Sequence, residues 1–239
     1  YVFTRTGTKW AQQAYLKASN TGRPPNPGDP NDWGDGDQFG FSLALSADGN
    51  TLAAGTPSED SRASGVNNLA FQGDDSSASS GAVYVFARTG NAWSQQSYVK
   101  ATNSEAGDLF GYSVGLSADG NTMAVAGYDE DGSSRQVNGI PDNLRGGSGA
   151  IYVFGRQAGA WSQQAYLKAS NTGSNDWFGW ALAVSGDTVV VGAFREDSNA
   201  TGVNADQNDE SATESGAVYV FTGLGVGPRL AITPDGATG

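Results

Sequence analysis

Three acidic dipeptides recur along the chain at Glu59-Asp60, Glu130-Asp131 and Glu196-Asp197. Each is followed, after five residues, by Val-Asn: Val66-Asn67, Val137-Asn138 and Val203-Asn204. More acids come next, at Asp74, Asp75, Asp142, Asp206, Asp209 and Glu210. Carboxylates and amide or backbone carbonyls are the oxygen ligands that a hard cation such as Ca²⁺ takes. The expectation is one Ca²⁺ in each loop. Its ligands would be Glu59, Asp60 and Asn67, then Glu130, Asp131 and Asn138, then Glu196, Asp197 and Asn204 with Asp206. The alternative is that the acids cap turns while the valine tucks the loop onto the body of the repeat. Loops of roughly 20 residues are usually functional.

Other candidates are weaker. Asp29, Asp32, Asp35 and Asp37 surround Trp33 and could hold an ion, although such a run also suits a solvated loop. Asp37, Asp108 and Asp176 each precede Phe-Gly with one residue between. A carboxylate dyad needs two acids at a set separation with displaced pKa values, so one Asp per repeat reads as a structural cap. Trp10, Trp93 and Trp161 recur and read as packing anchors. Trp33, Trp177 and Trp180 vary between repeats, which leaves them to form a ligand surface. Lys17, Lys100 and Lys168 form a further series, expected to find charge partners on a neighbouring repeat. Asn199-Ala200-Thr201 is a glycosylation sequon.

Composition narrows the chemistry. The net charge is −12, with 25 acidic against 13 basic residues. Nucleic-acid binding needs a basic stripe that is missing here, and an anionic membrane surface is disfavoured on the same ground. There is no His and no Cys. That removes the commonest general base, every Ser-His or Cys-His pair and disulfides, and it disfavours zinc, copper and haem. No apolar run is long enough to span a bilayer. The chain opens at Tyr1 within a strand-like segment, which reads as a mature or excised fragment.

The elements that must position these residues come from a repeat. Asp-x-Phe-Gly occurs at Asp37–Gly40, Asp108–Gly111 and Asp176–Gly179. Alternating large and small residues follow: Phe41, Leu43 and Leu45 against Ser42, Ala44 and Ser46 in the first copy. That period marks a strand, and both faces are compatible with burial between neighbouring sheets. Asp48-Gly49 and Asp119-Gly120 are hairpin turns, with a shorter third copy at Gly186-Asp187. Return strands follow at 51–55, 122–127 and 188–192. A continuous apolar strand recurs at 81–86, 149–154 and 216–221, and Tyr1-Val2-Phe3 is the tail of another copy. Trp-Ala/Ser-Gln-Gln then leads to Tyr-Leu/Val-Lys-Ala at 10–18, 93–101 and 161–169, read as a partly exposed outer strand.

Four antiparallel strands per unit make a propeller blade. The fold class is therefore all-β, a β-propeller of four-stranded antiparallel blades with about 3.5 blades in this chain. A partial blade covers 1–20 and further blades cover about 37–103, 108–171 and 176–224. Residues 225–239 read as a linker or the start of a further module. So few blades imply a fragment of a roughly seven-bladed ring, or a ring completed by another chain.

The order of Phe-Gly, hairpin and then Gly-Ala at the end of the second strand resembles the FG-GAP (integrin-α-type) repeat, over nearly the whole chain to about residue 224. The second half departs from the pattern. Ala54-Gly55-Thr56-Pro57 keeps the proline, whereas Ala126-Gly127-Tyr128-Asp129 and Gly192-Ala193-Phe194 keep only the small residues. The family's calcium loop joins the first two strands of a blade, and the matching turns here offer one carboxylate each, Asp48, Asp119 and Asp187. That site is not carried over. The resemblance, to bacterial extracellular members above all, implies a secreted or cell-surface, non-enzymatic binding or adhesion module. It would be Ca²⁺-stabilised and recognise protein or glycan through its loops. The alternatives are a structural subunit assembled through open blade edges and, disfavoured by the absent His and Cys, a polysaccharide-active enzyme.

Overall fold

The computed structural model describes residues 1–20 and 36–224. Its elements are β1 (Val2–Thr6), β2 (Lys9–Ala14), β3 (Ser42–Leu45), β4 (Thr51–Thr56), β5 (Ala82–Thr89), β6 (Ala92–Val99), β7 (Ser113–Leu116), β8 (Thr122–Gly127), β9 (Ala150–Gln157), β10 (Ala160–Leu167), β11 (Phe178–Ser185), β12 (Thr188–Ala193) and β13 (Ala217–Phe221), with one 3-10 turn at Leu69–Phe71. The strands form four antiparallel sheets in chain order: β1-β2, β3-β4-β5-β6, β7-β8-β9-β10 and β11-β12-β13. The expected sequence of two, four, four and three strands is the one observed.

Neighbouring sheets pack large face on small face. In the third sheet both faces of the first strand are covered: Val114 and Leu116 are buried on one side, Gly115 and Ser117 on the other. Val114 and Leu116 share a core with Ala44 and Ala53 of the second sheet. A methyl group on Gly115 would meet Leu182 Cδ1 and Val184 Cγ2 of the fourth sheet, each at 2.8 Å. The outermost faces differ from expectation. Phe41, Leu43 and Leu45 are more than half exposed, and Ala181, Ala183 and Ser185 are exposed as well. No described sheet stands beyond them to bury the pattern.

Two sequence motifs are the two halves of one junction between sheets. Gly81 sits against Phe110 of the next sheet, and Gly149 sits against Phe178. A Cβ at either glycine would lie 2.1 Å from the phenylalanine carbonyl oxygen. Phe110 N–H donates to Ser80 O, and Phe178 N–H donates to Ser148 O, both at 3.2 Å. Ser-Gly-Ala in one unit and Phe-Gly in the next therefore recur together because each needs the other.

The fourth strands carry the second device. Each has a register shift in its pairing, falling at Gln13, at Gln96 and at Gln164. A bulge re-aims a side chain out of the ladder. Gln13 Oε1 accepts from Trp93 Nε1 of the next sheet at 3.0 Å. Gln96 Oε1 accepts from Trp161 Nε1 and from Arg156 Nη1, both at 3.2 Å. Trp161 is accordingly buried, whereas Trp10 is 67% exposed. The anchor role expected of the Trp series therefore holds only where a preceding sheet supplies the glutamine.

Candidate functional site

The Glu-Asp…Val-Asn loops fold back over the fourth strand of their own sheet. Asn67 adopts φ +56°, and Asn138 and Asn204 share this left-handed conformation. Asn67 N–H donates to Tyr98 O, and its Oδ1 accepts from Tyr98 N–H at 2.9 Å. Asn138 pairs with Tyr166 in the same way. The asparagine thus mimics an added strand. Val66 bridges to Val99 beneath it. This covers the end of the outer strand, so Tyr98, Val99 and Lys100 are fully buried. The expected outer strand is exposed only over its first half.

Beneath the loop lies a buried polar network. Glu59 accepts from Lys100 Nζ at 2.8 Å and from Tyr98 Oη at 2.8 Å. The ammonium also donates to Ser61 O and Ser80 Oγ. Glu130 repeats the arrangement with Lys168 at 2.8 Å, Tyr166 at 2.7 Å and Ser148. Burial lowers both lysine pKa values, with the adjacent glutamates acting against that shift. Each glutamate is also reached from the preceding sheet, by Asn20 Nδ2 for Glu59, Asn103 Nδ2 for Glu130 and Asn171 Nδ2 for Glu196. The charge partner expected on a neighbouring repeat lies in the lysine's own sheet instead, because the loop brings the glutamate back over strand four.

The residues expected to hold calcium are accounted for one by one. Asp60 Oδ1 accepts from Ser79 N–H, Asp131 Oδ1 from Gly147 N–H and Asp197 Oδ1 from Glu214 N–H, each closing the far end of its loop. Asp206 Oδ1 accepts from Asn208 N–H. Asn204 is exposed. In the second and third sheets an ammonium already neutralises the glutamate, so the Glu59 and Glu130 sets do not fit a divalent cation. Among the described residues no three acidic side chains converge as metal ligands. The Asp29, Asp32 and Asp35 cluster and Trp33 lie outside the described residues.

Asp108 and Asp176 act as the caps expected. Asp108 Oδ2 accepts from Glu105 N–H and Asp176 Oδ2 from Gly173 N–H. Burial raises Asp108 to about 7, and raises Asp37 and Asp176 to about 6. The hairpin carboxylates go the other way. Asp48 is held at about 2 by hydrogen bonds from Ser46 and Asn50.

The remaining candidates, Trp177 and Trp180, are brought together. Their rings stack at 5.2 Å and 12°, and Phe194 stacks on Trp180 at 5.4 Å. The group continues across the third sheet through Tyr128 and Tyr112 to Phe41 of the second. Arg195 lies 4.4 Å over the Trp177 ring. Phe194 and Phe41 are each more than half exposed. This arc runs along the end of the sheets where first strands begin and second strands finish. Trp177 holds φ +54°, the conformation Gln38 and Leu109 adopt in the other repeats. Tyr128 and Phe194 stand where the first repeat has Pro57. Sequence reading passed over both, although their alignment two residues before each Glu-Asp was visible.

Compared with known families, residues 161–221 match the model of the FG-GAP repeat. The match begins at Trp161, takes in Phe178-Gly179 and the Glu196-Asp197 loop, and ends with β13. Comparison with curated proteins gives no match.

Proposed function

We infer that the FG-GAP repeat matched at residues 161–221 is the unit from which the chain is built, that its sheets are adjacent blades of a β-propeller, and that the assembly is a non-enzymatic binding module. The blade reading is supported by the junction that recurs between sheets, Gly81 on Phe110 and then Gly149 on Phe178. The carrying observation for binding is the aromatic arc, in which Trp177, Trp180 and Phe194 form a part-exposed stacked group with Arg195 at its margin. Contiguous exposed aromatic surface on a soluble domain marks an interaction site, and rings with a polar handle suit amphipathic ligands. The ligand is a glycan or a protein displayed outside the cell. No helix among the described residues is long and apolar enough to cross a membrane. Titration of the chain with a glycan panel and candidate surface proteins, read by tryptophan fluorescence, tests the proposal. Binding that Trp180→Ala weakens at least about tenfold supports it. A ligand bound equally well by Trp180→Ala and Phe194→Ala removes the arc as the site.

A second reading, a structural subunit assembling through blade edges, is favoured by the uncovered faces at Phe41, Leu43 and Leu45 and at Ala181 and Ala183.

A further inference from the structure

We propose that Asn138 is a site of self-modification. When its loop lifts from β10, the side-chain amide closes onto the Gly139 nitrogen, and the isoaspartyl product keeps the loop from closing again. The inference is independent of any ligand and of how the sheets are assembled.

Asn-Gly occurs once in the sequence, at Asn138-Gly139. The matching positions are Asn67-Asn68 and Asn204-Ala205. Asparagine amides are thermolabile, and they are lost by attack of the next backbone nitrogen on Cγ. Glycine has no Cβ to crowd that nitrogen or to restrict its turn toward the side chain. Packing imposes the glycine here. A Cβ at Gly139 would lie 1.8 Å from Ser134 Oγ and 2.8 Å from Ser134 Cβ. The fold therefore keeps an uncrowded nitrogen next to Asn138.

The step balances without an oxidant. A bond forms between Gly139 N and Asn138 Cγ, and the Cγ–Nδ2 bond breaks. The Gly139 amide proton leaves with the side-chain amino group as ammonia. Water then opens the five-membered imide at one of its two carbonyls. Opening at Cγ gives aspartate. Opening at the main-chain carbonyl gives isoaspartate, with the chain running through Cγ. Asn138 is exposed, so water reaches it.

The closed loop holds both reacting groups off this path. Asn138 Oδ1 accepts from Tyr166 N–H at 2.9 Å, and Asn138 N–H donates to Tyr166 O at 2.7 Å. Gly139 N–H donates to Gln136 O at 3.3 Å. Reaction therefore waits on opening. Local opening requires little free energy where few apolar contacts are buried. Val137 packs on the core, but Ile140 beyond it is 86% exposed and Leu144 is exposed as well. The far end of the loop stays fixed, because Arg145 N–H and Gly147 N–H both bind Asp131.

The two products differ at the latch. Aspartate at 138 retains an oxygen for Tyr166 N–H. Isoaspartate adds a methylene to the main chain and moves the carboxylate to another carbon, so the paired grip on Tyr166 is lost. The loop covers Lys168 and Glu130, each 2% exposed. Its lasting displacement opens that ion pair to water.

Ageing of the full chain at mildly alkaline pH tests this. Trypsin cuts after Arg135 and Arg145 and releases Gln136–Arg145, in which fragmentation by mass spectrometry separates Asn138 from Asn143. The expected result is loss of the Asn138 amide, with aspartate and isoaspartate both formed, while Asn67 and Asn204 keep their amides. The rate in the folded chain is expected to lie below that in chain unfolded by urea. Lys168 is expected to react with an amine-directed label in the isoaspartyl chain, and to stay unlabelled in fresh chain and in Asn138→Asp. An Asn138 amide that persists in the folded chain while the unfolded chain loses it overturns the proposal. Equal rates in folded and unfolded chain do so as well, as does a Lys168 that stays protected once isoaspartate has formed.

Discussion

Lys100 Nζ lies 2.8 Å from Glu59 Oε2, and the two side chains are 0% and 1% exposed. The pair is held by a loop whose glutamate stands 41 residues before the lysine, so it ties the second strand's exit to the fourth strand's end. Lys100→Met leaves Glu59 buried and unpaired, with an expected loss of about 3–5 kcal/mol. The double variant Glu59→Leu/Lys100→Met is expected to recover most of that. Urea unfolding of the wild type and both variants reads the difference, and equal losses would mean that the pair is not coupled.

Gly149→Ala is expected to cost more than about 2 kcal/mol. The new Cβ would lie 2.1 Å from Phe178 O, at φ +79°. Gly159→Ala is the control. Its φ is +83°, yet nothing lies within 4 Å, so only the backbone cost of about 1–2 kcal/mol remains. Equal melting temperatures for the two variants would show that the sheet junction tolerates separation.

The strands were legible in the sequence because they recur with a period and carry their own turn chemistry. Asp48-Gly49 and Asp119-Gly120 make the hairpins, and the alternation after each Phe-Gly makes the first strands. The recurrence of Glu-Asp with Val-Asn was equally visible, but its cause was not. The cause is Asn67 at φ +56° laying the loop on Tyr98, a long-range contact with no period of its own. Tyr-x-Lys-Ala-x-Asn recurs in step with the glutamate at Lys17, Lys100 and Lys168. That series held the missing signal, a cation already present in the chain.

Stability is expected to fall as pH rises from about 4 to about 7, in part through Asp108. Its carboxyl is raised from 3.8 to about 7, mainly by burial. Between those values the folded chain holds a proton that the unfolded chain has released, so unfolding becomes easier with rising pH. The contribution is fully present below pH 4 and lost through pH 7. Asp108→Asn keeps an acceptor for Glu105 N–H and removes the titration. Melting curves across this range should show a shallower decline for the variant, and parallel declines would assign the effect to other groups.

Calcium added to metal-free protein is expected not to bind at the Glu59 and Glu130 loops, so that its heat and its effect on melting temperature are the same in wild type, Glu59→Gln and Glu130→Gln. The argument is one of charge and of donor supply. Glu59 and Glu130 each face an ammonium at 2.8 Å, and a divalent ion arriving there would have to displace it or sit beside it with like charge unscreened. Asn67 and Asn138 spend their side-chain oxygens on Tyr98 and Tyr166 N–H groups. Hard cations need six to eight oxygens, and the loop has committed these to closing itself. Lys168→Met tests the same logic from the other side. It leaves Glu130 without its cation, so calcium that stabilises this variant and not the wild type would show that the lysine fills the role a metal could have taken. A calorimetric signal in the wild type, lost in Glu130→Gln, would instead restore calcium to these loops.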